Sequence, residues 1–432
     1  MRKKIYILIW IALFSAGSGA FALSLEQALS LAMENNISLK REEIILGAAE
    51  RTSRHSWNSL LPSVSVGVND ELSLQDGVQN NFGLEGKVSV TVSPDFLLSI
   101  KKAQADYEAV HISYEQAVSE ILSQIKEAYF SLLYEKQNLD YLYENLENAK
   151  KQAEQNKERY RLGTLSELEY LSSKVAYEKL KPELKGQELS FQNNLKSFSL
   201  LLGLDNSENQ LTLEGSLEDF ISKYTAFFDS TTKETVLADI TNGNIPSVQA
   251  LKKQIEASQK ELTKTKLSVL GPAINLSYSI NPVLAGAEKN QIKQAASVGL
   301  SLPIENWLPC SQGADSIKAA QDSVTDLQLQ LKEKRKAVNA EFSSIINDLE
   351  QKEETLVSLR DYIQLAQKTY DAAQFSYSKG TMEFLSMQNA AKENLEAKLS
   401  LQNELLEKLK LYISLEKLCG KSLPLGGNNE NK

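Results

Sequence analysis

Cysteine is scarce in this chain: Cys310 and Cys419 are the only two in 432 residues. So few exclude a scaffold built on disulfides, and a chain of this length needs none to bury a core. Histidine is just as rare, and His55 and His111 stand too far apart in sequence to give metal-ligand spacing. The 20 glycines and 9 prolines nowhere gather into a phosphate-cradling loop, and no serine or cysteine sits in a recognisable nucleophile setting. The residues therefore offer no enzyme, no cofactor and no metal site. Positive charge is short as well, with 47 basic against 56 acidic residues and a net charge of −9, a balance that disfavours nucleic acid as a partner. Past the N-terminus there is no apolar run long enough for a membrane-spanning helix.

The first 22 residues differ from the rest. Arg2, Lys3 and Lys4 precede an apolar run from Ile5 to Phe14, then small residues and Ala20-Phe21-Ala22. This order reads as a secretory signal cut after Ala22, and the apolar run is too short to span a bilayer. Its removal takes the net charge to −12. No cysteine follows the cut, so no lipoprotein anchor is indicated.

What remains is duplicated. Ile100-Lys101-Lys102-Ala103-Gln104 returns as Ile317-Lys318-Ala319-Ala320-Gln321; Tyr160 to Thr164 and Tyr377 to Thr381 share Tyr-x-x-Gly-Thr; and both copies end on a glycine, Gly203 and Gly420. The offset is 217 throughout. Packed helices resist insertion where loops tolerate it, so so long a constant spacing marks two copies of one unit. The division is a leader over 1–22, a first repeat over 23–230, a second over 231–420 and a disordered tail over 421–432.

Each repeat carries a long helical hairpin. Leu139, Leu142, Leu146, Ala149, Ala153, Asn156 and Tyr160 follow the alternating steps of a heptad seam, and Leu356, Leu359, Ile363, Ala366, Tyr370, Ala373 and Tyr377 repeat them. Tyr107, Val110, Tyr114, Ala117 and Ile121 lead into Ile125, Ala128 and Leu132 by an extra four-residue step, which unwinds a left-handed supercoil locally. From Ile100 to Gly163 there is neither proline nor glycine, which predicts one helix of about 60 residues, roughly 95 Å long. A second helix returns from Thr164 to Leu202, with Gly163 at the turn and a kink expected at Pro182. Shorter helical stretches, Ser24 to Leu60 and Glu234 to Leu270, precede the hairpins and end at Pro62 and Pro272. The returning helices are the shorter partners, and a preceding helix stacked on the end makes up the difference.

Four short segments alternate with period two, as strands do. Their apolar positions are Val64, Val66, Val68, Leu72 and Leu74; Phe82, Leu84, Val88, Val90 and Val92; Ile274, Leu276, Tyr278 and Ile280; Ala296, Val298, Leu300 and Leu302. The intervening positions are rich in Ser, Gly, Asn and Thr. Each is about the ten residues a tilted strand needs to cross hydrocarbon, one face to lipid and one to water. A soluble two-layer sheet gives the same alternation. Asp70 interrupts the apolar face, as a bulge or a position at the water boundary does, while Phe82, Tyr278 and Trp307 suit interfacial belts. Four strands cannot close a barrel and open edges are not tolerated in lipid, so several copies must share one: two leave a filled interior, three an open channel.

The leader, the duplicated helix, strand-pair and hairpin plan and the Tyr-x-x-Gly-Thr at each turn resemble the TolC-like outer-membrane efflux and secretion proteins, over Leu25 to Gly420. Val298-Gly299-Leu300-Ser301-Leu302-Pro303-Ile304 and Asn244-Ile245-Pro246-Ser247 are further local matches. The resemblance implies an α+β membrane protein: a homotrimer with a shared twelve-stranded β-barrel in the outer membrane on a twelve-helix tunnel in the periplasm. It implies a passive exit duct for tripartite efflux or type I secretion, fed by an inner-membrane transporter through a periplasmic adaptor. Adaptor contact falls on the turns, Leu162-Gly163-Thr164 and Lys379-Gly380-Thr381. The family's periplasmic gate maps to Tyr160, Glu169 and Tyr377, but Met382 stands where an arginine is usual, and Ser386 and Asn389 stand where aspartates often narrow the tunnel. A thioether cannot make a charged clamp. The rival reading is a periplasmic coiled-coil adaptor or spacer without a barrel. Adaptors carry one such hairpin between soluble β-rich domains, whereas this chain has two in register.

Overall fold

The computed structural model describes residues 21–73, 79–204, 211–230, 238–240, 242–286 and 289–420. In chain order these form β1 (Phe21–Leu23), α1 (Leu25–Asn35), α2 (Ile37–Arg54), a 3-10 turn (Ser56–Leu60), β2 (Ser63–Ser73), β3 (Gln79–Val92), α3 (Phe96–Arg161), α4 (Glu167–Leu201), β4 (Leu211–Leu213) and α5 (Leu217–Ser230). There follow α6 (Pro246–Leu270), β5 (Ala273–Gly286), β6 (Ile292–Ser301), a second 3-10 turn (Ile304–Trp307), α7 (Gln312–Ser378) and α8 (Phe384–Cys419). Most of the leader, Leu74, part of the stretch ahead of α6 and the tail 421–432 lie outside the described residues.

The long helices α3 and α7 have 66 and 67 residues, and the returning α4 and α8 have 35 and 36. The first and last residues of α3, moved by 217, fall within a residue of those of α7. The chain divides into two compact units: Met1–Lys40, Val118–Asp239 and Ala340–Lys432 form one, Arg41–Ala117 and Ile240–Asn339 the other.

In the first unit, the core gathers Tyr129 and Phe130 of α3, Phe198 of α4, Phe220 and Tyr224 of α5, and Leu405, Leu409 and Tyr412 of α8. Phe130 and Phe220 meet tilted at 4.9 Å and Tyr224 stacks on Tyr412 at 5.4 Å, contacts that add to the burial of their area. Lys126 and Glu416, both buried, form an ion pair at 2.7 Å, and the Tyr224 hydroxyl donates to the same carboxylate oxygen at 3.1 Å. β1 and β4 run parallel, Phe21 opposite Leu211 and Leu23 opposite Leu213. The buried Tyr129 hydroxyl lies 2.9 Å from the Leu23 carbonyl and 2.7 Å from that of Glu214. Cutting after Ala22 would leave β1 only Leu23.

The helical stretch over Ser24 to Leu60 is made of α1, α2 and a 3-10 turn. The break is Asn36, whose backbone turns extended while its side-chain oxygen accepts from the Leu39 amide and its nitrogen donates to the Leu201 carbonyl at 2.7 Å. The end of α4 thus abuts the end of α1, the stacking the lengths required. Contact is so close that a Cβ at Gly203 would lie 2.3 Å from the Asn35 carbonyl oxygen, and φ is +74° there. Of the second helical stretch, α6 runs from Pro246, where proline suits the first helical position, to Leu270, and residues 234–237 and 241 lie outside the described residues. Pro182 does not end α4, which runs from Glu167 to Leu201 around it. A proline inside a helix loses one backbone hydrogen bond, and the neighbouring turns carry the rest.

In the second unit, β2, β3, β5 and β6 form one antiparallel sheet in that order. The register aligns the alternation across all four strands. Val64, Val88, Tyr278 and Ala296 form one row, and Val90, Leu276 and Val298 the next but one strand position along. On the opposite face Ser63, Ser89, Ser277 and Ser297 form a hydroxyl row, with Ser63 to Ser89 and Ser277 to Ser297 each at 2.7 Å. No second layer covers the apolar face among the described residues: Val66 is 80% exposed and Val298 79%. Asp70 pairs with Phe82 in an unbroken β2–β3 register, and the one register shift lies between β3 and β5, where Leu284 is the extra residue. β2 and β6 each have one edge without a partner strand among the described residues. No described helix is long and apolar enough to cross a membrane.

Candidate functional site

Within the first unit, the two hairpin turns are built alike. After α3, the Gly163 amide donates to the Tyr160 carbonyl at 2.9 Å, and both the amide and the hydroxyl of Thr164 donate to the Arg159 carbonyl. After α7, the Gly380 amide donates to Tyr377, and the Thr381 amide and hydroxyl both donate to Ser376. Threonine thus caps the last carbonyls of each long helix twice, and glycine supplies the left-handed residue, with φ +74° and +76°. A Cβ on either glycine would meet nothing within 4 Å, so backbone conformation alone requires them here. Leu162, Gly163, Thr164, Lys379, Gly380 and Thr381 are all exposed.

Tyr377 is only 3% exposed and sits in a small cluster with Ala373, Phe384, Met387 and Ala390, against which Met382 and Tyr370 pack. Its hydroxyl donates to Oδ1 of Asn156 at 2.9 Å. Asn156 is fully buried, also accepts from Gln152 at 3.1 Å, and its Nδ2 has no partner among the described residues. The guanidinium of Arg159 lies over the Tyr377 ring at 5.4 Å. Burial raises the Tyr377 pKa above that of a free tyrosine, opposed by the Asn156 hydrogen bond, so the hydroxyl stays protonated and able to donate.

The expected gate residues divide. Tyr377 and Met382 meet in this cluster, and Glu169 is near enough to act on Tyr377 electrostatically. Glu169 also caps α4: its amide donates to the Ser166 hydroxyl at 3.2 Å, and that hydroxyl donates to its carboxylate at 3.3 Å. The Ser-x-x-Glu spelling of 166–169 carries that signal. Tyr160 is partly exposed and stacks on Tyr170 at 5.4 Å. Ser386 and Asn389 are exposed on α8. Sequence reasoning missed Asn156 and Arg159. An amide at a heptad seam position was the available sign for the first, since such a residue is costly to bury without a partner.

Residues 28–204 match the family described as outer membrane efflux protein. Over that stretch the chain is similar to that family. No curated protein matches it. Among solved structures, the Campylobacter jejuni CmeC outer membrane channel is 17% identical with a TM-score of 0.75, covering 92% of this chain and 85% of that one. The outer membrane protein VceC of Vibrio cholerae is 16% identical, with a TM-score of 0.71 and coverage of 92% and 96%. The open state of the Neisseria gonorrhoeae MtrE outer membrane channel is 15% identical, with a TM-score of 0.68 and coverage of 92% and 89%. At such identities the likeness is one of fold, and it extends the TolC-like resemblance well past residue 204.

Proposed function

We propose that three copies of this chain close one twelve-stranded barrel in the outer membrane above a twelve-helix tunnel in the periplasm. The assembly is a passive duct, conducting substrate that an inner-membrane transporter delivers through a periplasmic adaptor, in tripartite efflux or type I secretion. The observation that carries this reading is the four-stranded sheet, with an exposed apolar face, a hydroxyl-lined opposite face and open edges on β2 and β6. An apolar face without a second layer suits lipid, a serine row suits a wet lumen, and edges in hydrocarbon must be sealed by another strand. β2 and β6 run antiparallel to each other in the sheet order, so the edge of one copy can pair with that of the next. The family match over 28–204 and the fold of the channels above support the same reading.

In this assembly residues 1–22 are the removed leader, 23–230 and 231–420 the two repeats, and 421–432 a tail without structural role. The turns at Leu162-Gly163-Thr164 and Lys379-Gly380-Thr381 meet the adaptor. Tyr377 is the centre of the periplasmic gate, with Tyr160, Glu169, Met382, Ser386 and Asn389 around it, and Asn156 and Arg159 hold it where the family arginine is replaced. Adaptor contacts that are stronger in the open state open the gate. The chain breaks no bond.

Extraction tests the reading. The protein should leave outer membranes only with detergent and migrate without boiling as a heat-modifiable trimer. Recovery as a monomer in the salt-washed soluble fraction would overturn it.

A further inference from the structure

On the hydroxyl face of the sheet, the rows nearest the helices are neutral. Thr91, Asn275 and Gly299 form one, with the Thr91 hydroxyl donating to Oδ1 of Asn275 at 2.8 Å, and Ser63, Ser89, Ser277 and Ser297 form the next. The third row breaks the pattern. It runs Ser65, Lys87, Ser279 and Ala295, a single cation among side chains too short to cover it. Lys87 is exposed, and no hydrogen bond or ion pair engages it among the described residues. In a chain whose acids outnumber its bases, that placement runs against the average charge.

The acids of the same face stand further from the helices. In the row beyond Lys87, Glu85 lies opposite Gly67 and Lys293 opposite Asn281, one charge of each sign, so that row adds no net charge. Glu71 follows six residues past Ser65 on β2, about 20 Å away at about 3.4 Å per residue, and salt screens it at that range. A solute arriving from the helices therefore crosses two uncharged rows and meets Lys87 first.

In the proposed trimer this face lines the lumen, and threefold symmetry sets three Lys87 ammoniums at one height. Twelve strands about 4.8 Å apart and tilted by roughly 40° put the wall roughly 12 Å from the axis. Each ammonium, on its four-carbon stem, reaches inward to within one Debye length of that axis, about 8 Å at physiological salt. The three fields overlap across the bore. We infer that the three Lys87 side chains form an anion-attracting ring, which makes the barrel a charge filter favouring negatively charged solutes. This rests on the barrel reading and adds the substrate class that the barrel passes most readily. Three unit charges about 7 Å from a solute, in the dielectric of water and with salt screening, raise the local anion concentration about threefold.

Trimer in planar bilayers under a KCl gradient reports the ring through its reversal potential. Lys87→Gln should lower the chloride-to-potassium permeability ratio about threefold, Lys87→Glu should lower it further, and Lys87→Arg should keep it. In a C310S background, which removes the exposed thiol, K87C should behave as K87Q and should recover the parental ratio when an aqueous aminoethyl thiosulfonate restores the ammonium. A conducting K87Q trimer with the parental ratio, or a K87C thiol that the aqueous reagent does not reach, overturns the inference while heat-modifiable insertion keeps the barrel. If the parent itself fails to insert, the barrel reading falls and this inference with it.

Discussion

Asn156 shows how much one side chain can hold. It sits in the seam of α3, is fully buried, and is the acceptor for Tyr377 of the other hairpin. Asn156→Ala removes that acceptor and leaves a buried hydroxyl without one, which costs about 1–3 kcal/mol. Tyr377→Phe keeps the ring beneath Arg159 and loses only the bond, about 1 kcal/mol. Thermal unfolding should rank the alanine variant below the phenylalanine variant, and in planar bilayers both should conduct more than the parent. Tyr129 gives a pH signature. Its pKa is pushed up to about 12, chiefly by burial, against about 10 for an unperturbed phenol. Its contribution is therefore complete below the unfolded value and is lost as pH rises through the folded one, because the unfolded chain gives up its proton first. Denaturant melts should show stability falling between those values, and Tyr129→Phe should reduce the slope.

Among the elements, α5 carries the sharpest test. Lys126 of α3, Glu416 of α8 and Tyr224 of α5 converge in one buried knot. Removing one member strands a charge, so Lys126→Met alone should cost about 3–5 kcal/mol, whereas Lys126→Met with Glu416→Leu should recover most of it. Equal losses in the single and double variants, measured by denaturant unfolding, would contradict the pairing. The elements also differ in how plainly the sequence announces them. The strands were legible because Val64, Val66 and Val68 alternate without interruption, and the hairpins because a 217-residue offset survives without a gap. α5 is not announced by any repeat, although Leu217, Phe220, Ile221 and Tyr224 have helical spacing and are buried. The end of α1 was missed for a different reason. Asn36 carries no proline or glycine signal, and what breaks the helix is a side-chain bond to Leu201, 165 residues away. Pro182 lies inside the continuous α4. At the site, the turns could be read from Gly163 and Gly380, but the bond between Asn156 and Tyr377 joins residues 221 apart, which no local pattern encodes.

On the scale of the molecule, the duplication supplies two hairpins and two strand pairs, and the two strand pairs share one sheet whose outer edges on β2 and β6 have no partner strand among the described residues. In the proposed trimer, twofold repetition within the chain and threefold repetition among chains would answer different needs. The first would double the wall contributed by each gene product, and the second would close the circumference. Tyr377 and Asn156 tie the two hairpins of one chain to each other near their tips, so in the proposed trimer each copy would bring its own piece of the gate ready made.

The bare margins of β2 and β6 have a consequence for biogenesis. In the proposed assembly, a copy still awaiting its partners would be a sticky intermediate, able to template extended peptide on either flank and shed water from a whole greasy surface. Productive maturation is then a race between a collision-dependent encounter of siblings and off-pathway aggregation, so escort by holdases and a steady supply of nascent partners govern yield more than the intrinsic stability of any one copy.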